Sequence, residues 1–324
     1  MKNILVILPR SIAGGLIMEG FANGFELNKC RVMKKIIDEL TKEDIENFKP
    51  DMILGYDYSF LMDDNCTQII KNSDCKNLVC YFADEPQGKF ALGDKTQLYD
   101  ELKKIKPKVF IWDKDFIGEF KDSTYLPLAV NSKKYRTEFS GYKYSISFVG
   151  RPLTDIRQKI LCELVKVFKN KLNIFSYEKH FLQSVEEIKE KGLLDEDDLK
   201  VYSKCWHGFI KNEEDLAAIY NSSKINLNIN LQGKSSINYR VFEVLASGGF
   251  LFTDEREDLG EYFKISKHLE TYKNVNDLID KINFYLKNLN IAQKIAQLGK
   301  FEVTENHAFS ARAGSILEKA FLKI

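Results

Sequence analysis

The chain has 324 residues, of which 44% are hydrophobic and 29% charged, the balance of a globular protein long enough for one large or two ordinary domains. Its formal net charge is +1: residues 1–140 hold 21 Lys and Arg against 22 Asp and Glu, and the rest hold 27 against 25. That evenness argues against a nucleic-acid binder and against a protein held on anionic lipid by charge, and no run approaches the roughly 20 apolar residues that cross a bilayer.

The N-terminal run Met1–Ser11 is too short to be a secretory signal and reads as a first strand, Ile4 to Leu8, of the kind buried on both faces of a parallel sheet. Pro9 ends it, and Ser11 to Gly15 is expected to turn into a helix with Ile17, Phe21 and Phe25 on one face. Further strands are predicted at Met52–Gly55, Asn77–Phe82 and Val109–Trp112. Asp84 and Glu85 follow the second of these. Ligands of open α/β sheets bind beyond the carboxyl ends of strands, so either carboxylate is placed to take a proton from a hydroxyl. The competing reading is a strand-end turn capped by Asp. Asp113-Lys114-Asp115 after the third strand resembles the Asp-x-Asp of metal-dependent GT-A glycosyltransferases. In that different architecture both carboxylates hold a divalent ion on the donor diphosphate, although two carboxylates at this spacing recur by chance. The six cysteines show no C-x-x-C pair and no zinc spacing with the four histidines, which points to free thiols in a reducing cytoplasm.

Ser132–Tyr144 reads as a polar linker, after which Ile146–Arg151 opens a second domain with a strand ending in Gly-Arg. A helix over Asp155–Phe168, a strand over Leu172–Phe175 and a helix over Glu213–Tyr220 are expected next. The acidic cluster Asp195–Asp198 marks a helix start. From Ser223 the pattern becomes denser. Ile225–Leu231 alternates apolar and polar residues as a strand does. The loop Gln232-Gly233-Lys234-Ser235-Ser236 has no apolar anchor, and Val241, Val244 and Leu245 mark one helical face. Gly248-Gly249 stops that helix before a strand at Phe250–Thr253. A loop opening onto a helix N-terminus suits an anion. Gly233 permits close approach, Lys234 adds charge and Ser235 and Ser236 add hydroxyls. Arg240 and Glu243, three apart, offer a cation and a carboxylate side by side, or an ordinary surface ion pair. Val275 to Ile324 is helical, and no internal repeat is present.

The run Ser-Lys-Ile-Asn-Leu-Asn-Ile from Ser223 and R-x-F-E-x-L-A-S-G-G-F-L-x-T-D from Arg240 to Asp254 resemble the donor-binding segment of CgeB-like, spore-maturation-type glycosyltransferases. These belong to the wider GT-B group, which uses nucleotide-diphosphate sugars. The resemblance implies that Glu243 holds the ribose hydroxyls and that the preceding loop cradles the diphosphate. It also implies that the basic residue after Gly150 contacts the diphosphate, which makes Arg151 and Arg157 candidates, or else exposed surface charges at a helix start; that His207 lies near base or sugar; and that Gly14 and Gly15 face the donor. The Asp84-Glu85-Pro86 turn resembles an Asp-rich, Pro-containing turn common in the family's first half. The sequence departs from many retaining members at one place: counting back from Glu243, the first Glu of their E-x7-E is Ser235 here. Sugar recognition therefore differs, and retention or inversion is not legible.

The expectation is an α/β protein of the GT-B type, two Rossmann-like parallel-sheet domains facing a cleft. Residues 1–140 form the acceptor-side domain, 141–305 the donor domain, and a closing helix at about 306–324 packs back on the first. The function expected is transfer of a sugar from a nucleotide diphosphate to a hydroxyl of a glycan, protein or small molecule, with no cofactor or metal. The alternatives are an epimerase or hydrolase on the same scaffold, or a non-catalytic sugar-nucleotide-binding protein.

Overall fold

Four consecutive residues with no exposed surface, Ile4–Ile7, make the centre of the first strand, β1 (Asn3–Leu8). The computed structural model describes all residues except 87–95, 132, 133, 136, 211, 232–234 and 322–324. The chain divides into two units, one of residues 1–131, 232–237 and 306–324, the other of 132–231 and 238–305.

In the first unit β1 is joined by β2 (Arg31–Ile36), β3 (Met52–Tyr56), β4 (Leu78–Phe82), β5 (Lys108–Ile111) and β6 (Thr124–Tyr125). All pair in parallel in the order β2-β1-β3-β4-β5-β6. The helices α1 (Ile12–Leu27), α2 (Lys42–Phe48), α3 (Asp64–Lys71) and α4 (Thr96–Ile105) belong to this unit, as parallel strands require crossover connections. β2 escapes the sequence reading because it is an edge strand, Arg-Val-Met-Lys-Lys-Ile, with no fully buried position. Helix α1 starts at Ile12, with Gly15 N–H already bonded to Ser11 O at 2.9 Å. Gly14 and Gly15 thus lie in the first helical turn, where a turn before the helix was expected.

The second unit repeats the plan with β7 (Tyr144–Val149), β8 (Leu172–Phe175), β9 (Ser223–Asn228), β10 (Leu251–Asp254) and β11 (Glu270–Tyr272), all parallel in the order β11-β10-β9-β7-β8. Its helices are α5 (Asp155–Phe168), α6 (Glu178–Glu190), α7 (Glu196–Tyr202), α8 (Glu213–Ser222), α9 (Tyr239–Ala246), α10 (Leu259–Tyr262), α11 (Val275–Lys287) and α12 (Leu289–Asn306). The alternation in β9 does not mark a solvent face. Asn226, Asn228 and Asn230 are buried and donate their amides to Tyr220 O (2.9 Å), Thr253 Oγ1 (3.0 Å) and Asp254 Oδ1 (2.8 Å). These N–H bonds let the central strand carry short amides while it buries both faces, although Asn226 Oδ1 and Asn230 Oδ1 have no hydrogen-bond partner. β9 ends at Asn228, three residues before the expected Leu231.

The Gly-Gly stop of α9 has two causes. Gly248 takes φ +75°, with Gly248 N–H bonded to Leu245 O at 2.9 Å and Gly249 N–H to Val244 O at 3.0 Å, a Schellman close. At Gly249 a Cβ would stand 2.7 Å from Asn226 Nδ2 and 2.8 Å from Tyr220 O, so only glycine fits.

Helix α13 (Phe309–Phe321) returns to the first unit and lies on α1. Gly20 and Gly24 admit it: a Cβ at Gly20 would fall 2.2 Å from the Phe309 ring, and one at Gly24 2.6 Å from Phe309 O. Val130 N–H to His307 O (2.9 Å) and Phe309 N–H to Val130 O (3.0 Å) tie its start to the sheet's last connection. Among the described residues no helix is long and apolar enough to cross a membrane.

Candidate functional site

The order of the second sheet reverses between β7 and β9, and in such sheets the crevice beyond the carboxyl ends at the reversal is where ligands bind. β7 runs there into Gly150-Arg151, and β9 into Ile229-Asn230. Arg157, one turn into α5, folds back over this edge. Its Nε and Nη2 donate to Ile229 O at 3.2 and 2.8 Å, its Nη1 to Arg151 O at 2.9 Å, and its guanidinium lies 5.4 Å from the Phe148 ring centre. Burial, and after it repulsion by the Arg240 guanidinium, pushes Arg157 down to about 9, so it remains charged at neutral pH. Arg240 is half-buried and is held by the Tyr220 hydroxyl. Arg151 is exposed. Arg240 and Arg151 thus both bring positive charge to bear on Arg157, and clustered guanidinium groups are suited to a polyanion.

Helix starts add to this. Helices α2, α3, α7, α8 and α11 are capped by the side chains of Thr41, Asp63, Asp195, Asn212 and Asn274. Helices α1, α5, α6 and α9, which follow β1, β7, β8 and β9, have no side-chain cap. Thr154 Oγ1 and Asn238 Oδ1, at the cap positions of α5 and α9, are buried without a hydrogen-bond partner. Ser176 Oγ and His180 Nδ1, at the start of α6, are in the same condition. First-turn N–H groups left open beside arginines are what a phosphate group uses.

Glu243 is not the exposed ion-pair partner of Arg240 that an i,i+3 spacing allows. It is 4% exposed, and Tyr135 O–H donates to its Oε1 at 2.8 Å. Burial pushes its carboxyl up, while the Arg240 charge and the Tyr135 bond oppose the rise. Glu213, also buried, is pushed up by burial as well; Lys134 Nζ lies 3.5 Å from its Oε2. Tyr135, Tyr220 and Glu213 were not found from sequence. Tyr135 sits in a polar linker with no motif around it, and the other two read as ordinary positions of α8.

His207 lies alongside the end of β8, its N–H bonded to Ile174 O at 2.9 Å and its ring 5.6 Å from both Tyr144 and Phe175. Burial pushes its pKa down, so the ring is neutral at pH 7. The residue itself stays exposed. Gly233 and Lys234 lie outside the described residues. Ser235 and Ser236 cluster with the first unit, where their hydroxyls bond carboxylates. Ser236 Oγ donates to Asp113 Oδ2 at 2.6 Å, and Ser235 Oγ to the two oxygens of Asp115 at 3.1 and 3.2 Å. Asp113 also caps the turn after β5, accepting Asp115 N–H at 2.9 Å. The Asp-x-Asp pair is thereby engaged by serines and backbone. Among the described residues no three His, Cys, Asp or Glu side chains are grouped to hold a metal ion.

In the first unit the sheet reverses between β1 and β3, and a pocket lies at that point with Asp84 in its wall beside Tyr56 and Asp57. Gly14 is held by packing: a Cβ there would lie 2.6 Å from Ser11 Oγ and 2.9 Å from the Tyr56 ring. Gly15 faces open space. Glu85 follows Asp84 in the turn but is not among the residues lining the pocket.

Residues 175–318 match the family described as glycosyl transferase-like. Among solved structures, an α-glucosyltransferase in complex with UDP and a 13-mer DNA aligns with TM-score 0.72 and 11% identity over 99% of this chain and 100% of that one. Sucrose-phosphate synthase from Thermosynechococcus elongatus aligns with TM-score 0.69 and 10% identity over 99% of both chains. HepE from Anabaena, in complex with UDP and glucose, aligns with TM-score 0.67 and 10% identity over the whole of both chains. Comparison with curated proteins found no match.

Proposed function

We propose that this chain, a glycosyltransferase of the GT-B fold, holds the diphosphate of a nucleotide-sugar donor on the carboxyl edge of its second sheet and transfers the sugar to an acceptor hydroxyl. The observation that carries this reading is the convergence of Arg151, Arg157 and Arg240 on the uncapped starts of α5 and α9. Charge that develops on the leaving diphosphate would be stabilised there by guanidinium and backbone N–H groups, which needs no cofactor. Glu243, fixed by Tyr135, supplies a carboxylate for the ribose hydroxyls. Asp84 of the first unit is the carboxylate assigned to take the acceptor proton. Within the GT-B group we assign the chain to the CgeB-like, spore-maturation-type branch, on the Arg240–Asp254 segment. Its six unpaired cysteines fit a cytoplasmic setting, and its even charge fits an acceptor other than nucleic acid.

Thermal shift against nucleoside diphosphates tests the donor site. A ligand at about a hundred times its Kd adds roughly 2.7 kcal/mol to the native state, which moves the melting temperature visibly. If millimolar nucleoside diphosphates and nucleotide sugars all leave it unmoved, the donor reading is wrong. Turnover that needs an added acceptor separates a transferase from an epimerase or hydrolase.

A further inference from the structure

Two amide carbonyls at the carboxyl end of β9 are left without a donor. Asn230 is 4% exposed and Asn238 half-buried, and in each the Oδ1 is buried with no hydrogen-bond partner. The other half of each amide fixes its orientation. Asn230 Nδ2 donates to Asp254 Oδ1 at 2.8 Å, and a carboxylate only accepts, so Oδ1 cannot take that place. Asn238 Nδ2 donates to Asn228 Oδ1 at 3.0 Å, while Asn228 Nδ2 is committed to Thr253 Oγ1 at 3.0 Å. Both residues stand at the ligand edge of the second unit. Asn230 follows Ile229, whose carbonyl carries the Arg157 fork, and Asn238 precedes the open start of α9. Asn226 Oδ1 is unpartnered as well, but Asn226 is an interior residue of β9, paired in register with Leu251, and lies off this edge. A buried carbonyl without a donor costs free energy, which a ligand recovers only by bringing O–H or N–H groups. Phosphate oxygens accept and would be repelled. The two amides thus mark where the guanidinium-lined seat for a diphosphate ends and a hydroxyl-bearing part of the ligand begins.

We propose that Asn230 and Asn238 are specificity-determining residues for the donor sugar, and that they accept hydrogen bonds from its hydroxyl groups. The inference rests on the donor reading. Its test compares each nucleotide sugar with its own bare diphosphate, so that the two can fail separately.

Calorimetric titration reads it. Uridine, guanosine, adenosine and cytidine diphosphates are titrated first, then the glucose, galactose, mannose and N-acetylglucosamine conjugates of whichever binds. Asn230→Ala and Asn238→Ala should each weaken binding of the conjugate by about fivefold or more, the scale of a lost hydrogen bond. Affinity for the bare diphosphate should change by less than about twofold, as it does for a group the ligand does not touch. The wild-type protein supplies a second measurement, which decides alone if an alanine variant does not fold. A C–F group cannot donate, so at least one monodeoxyfluoro analogue of the bound sugar should lose about fivefold or more against its parent. In one of the two alanine variants that analogue should lose nothing further. Equal losses for conjugate and bare diphosphate, no loss in either, parent-like binding of every fluoro analogue, or a bound diphosphate none of whose conjugates bind would each overturn the proposal. Failure of the donor reading would show instead as no binding of any bare diphosphate, and the proposal would fall with it.

Discussion

Beyond the carboxyl ends of the first sheet stand Asp57, Asp84, Asp113 and Asp115; beyond those of the second stand Arg151, Arg157 and Arg240. Both sheets are parallel, both reverse next to their first strand, and in both the helix after that strand starts without a side-chain cap. The backbone plan is thus nearly the same, while carboxylates predominate at the end of the first sheet and guanidinium groups gather at the reversal of the second. One scaffold offers the same open N–H groups twice, and the side chains decide what enters. Acid at the first edge suits hydroxyl groups that must lose a proton. Base at the second suits a diphosphate that must leave with its charge.

The largest effect that would sharpen this contrast is expected from the second edge. Arg157→Ala should weaken nucleoside-diphosphate binding by about a hundredfold, the scale of a lost charge-assisted contact. Arg157→Lys should recover only part of it, because the fork to Ile229 O is lost. Calorimetric titration decides; unchanged affinity in folded Arg157→Ala would remove the anion site from this edge.

Glu243→Gln should cost about ten- to a hundredfold in donor affinity with the fold retained. Gln keeps size and helix propensity and still accepts from Tyr135, but loses the ionised oxygens. Equal affinities for wild type and mutant would strike Glu243 from the site.

The same residue sets a pH dependence. Burial raises its carboxyl above the ordinary 4.5, so on acidification wild-type donor affinity should begin to fall at a pH above that value. Glu243→Gln should lack this phase in the titration. The sign for stability is opposite. A raised carboxyl binds its proton more tightly in the native state, so its contribution favours folding below the unfolded value and is lost as pH rises through the folded one. Glu213 shifts the same way.

At the first edge, Asp113→Ala removes a turn cap and the Ser236 bond and should destabilise by about 1–2 kcal/mol in denaturant unfolding. Turnover should survive EDTA, since Asp113 and Asp115 are engaged by serines; loss in EDTA with recovery in manganese would make this edge a metal site and break the contrast. The smallest effect is at α1: Gly15→Ala should stabilise by up to about 1 kcal/mol, because the site is open and helical. Gly14→Ala should destabilise, since its Cβ would press Ser11 and Tyr56.

Sequence alone determined the alternating α/β plan and the two-sheet expectation. Uninterrupted apolar runs such as Ile4–Leu8 and Val79–Phe82 require burial on both faces, and Gly248-Gly249 can only end a helix. It also drew attention to Arg240, Glu243 and Asp84, because spacing and strand-end position are local properties. Tertiary structure decided the rest. Strand order, and hence which strand ends flank each reversal, is set by pairing between segments distant in sequence, so the pocket walls at Tyr56, Asp57 and Ser59 carried no signal. The burial of Glu243 against Tyr135, 108 positions away, and of Asp113 against Ser236, 123 positions away, is likewise a product of the packed chain. Spacing fixes which face of a helix a side chain occupies; only the fold decides whether that face meets water, a carboxylate or a hydroxyl, and with it the charge the side chain carries.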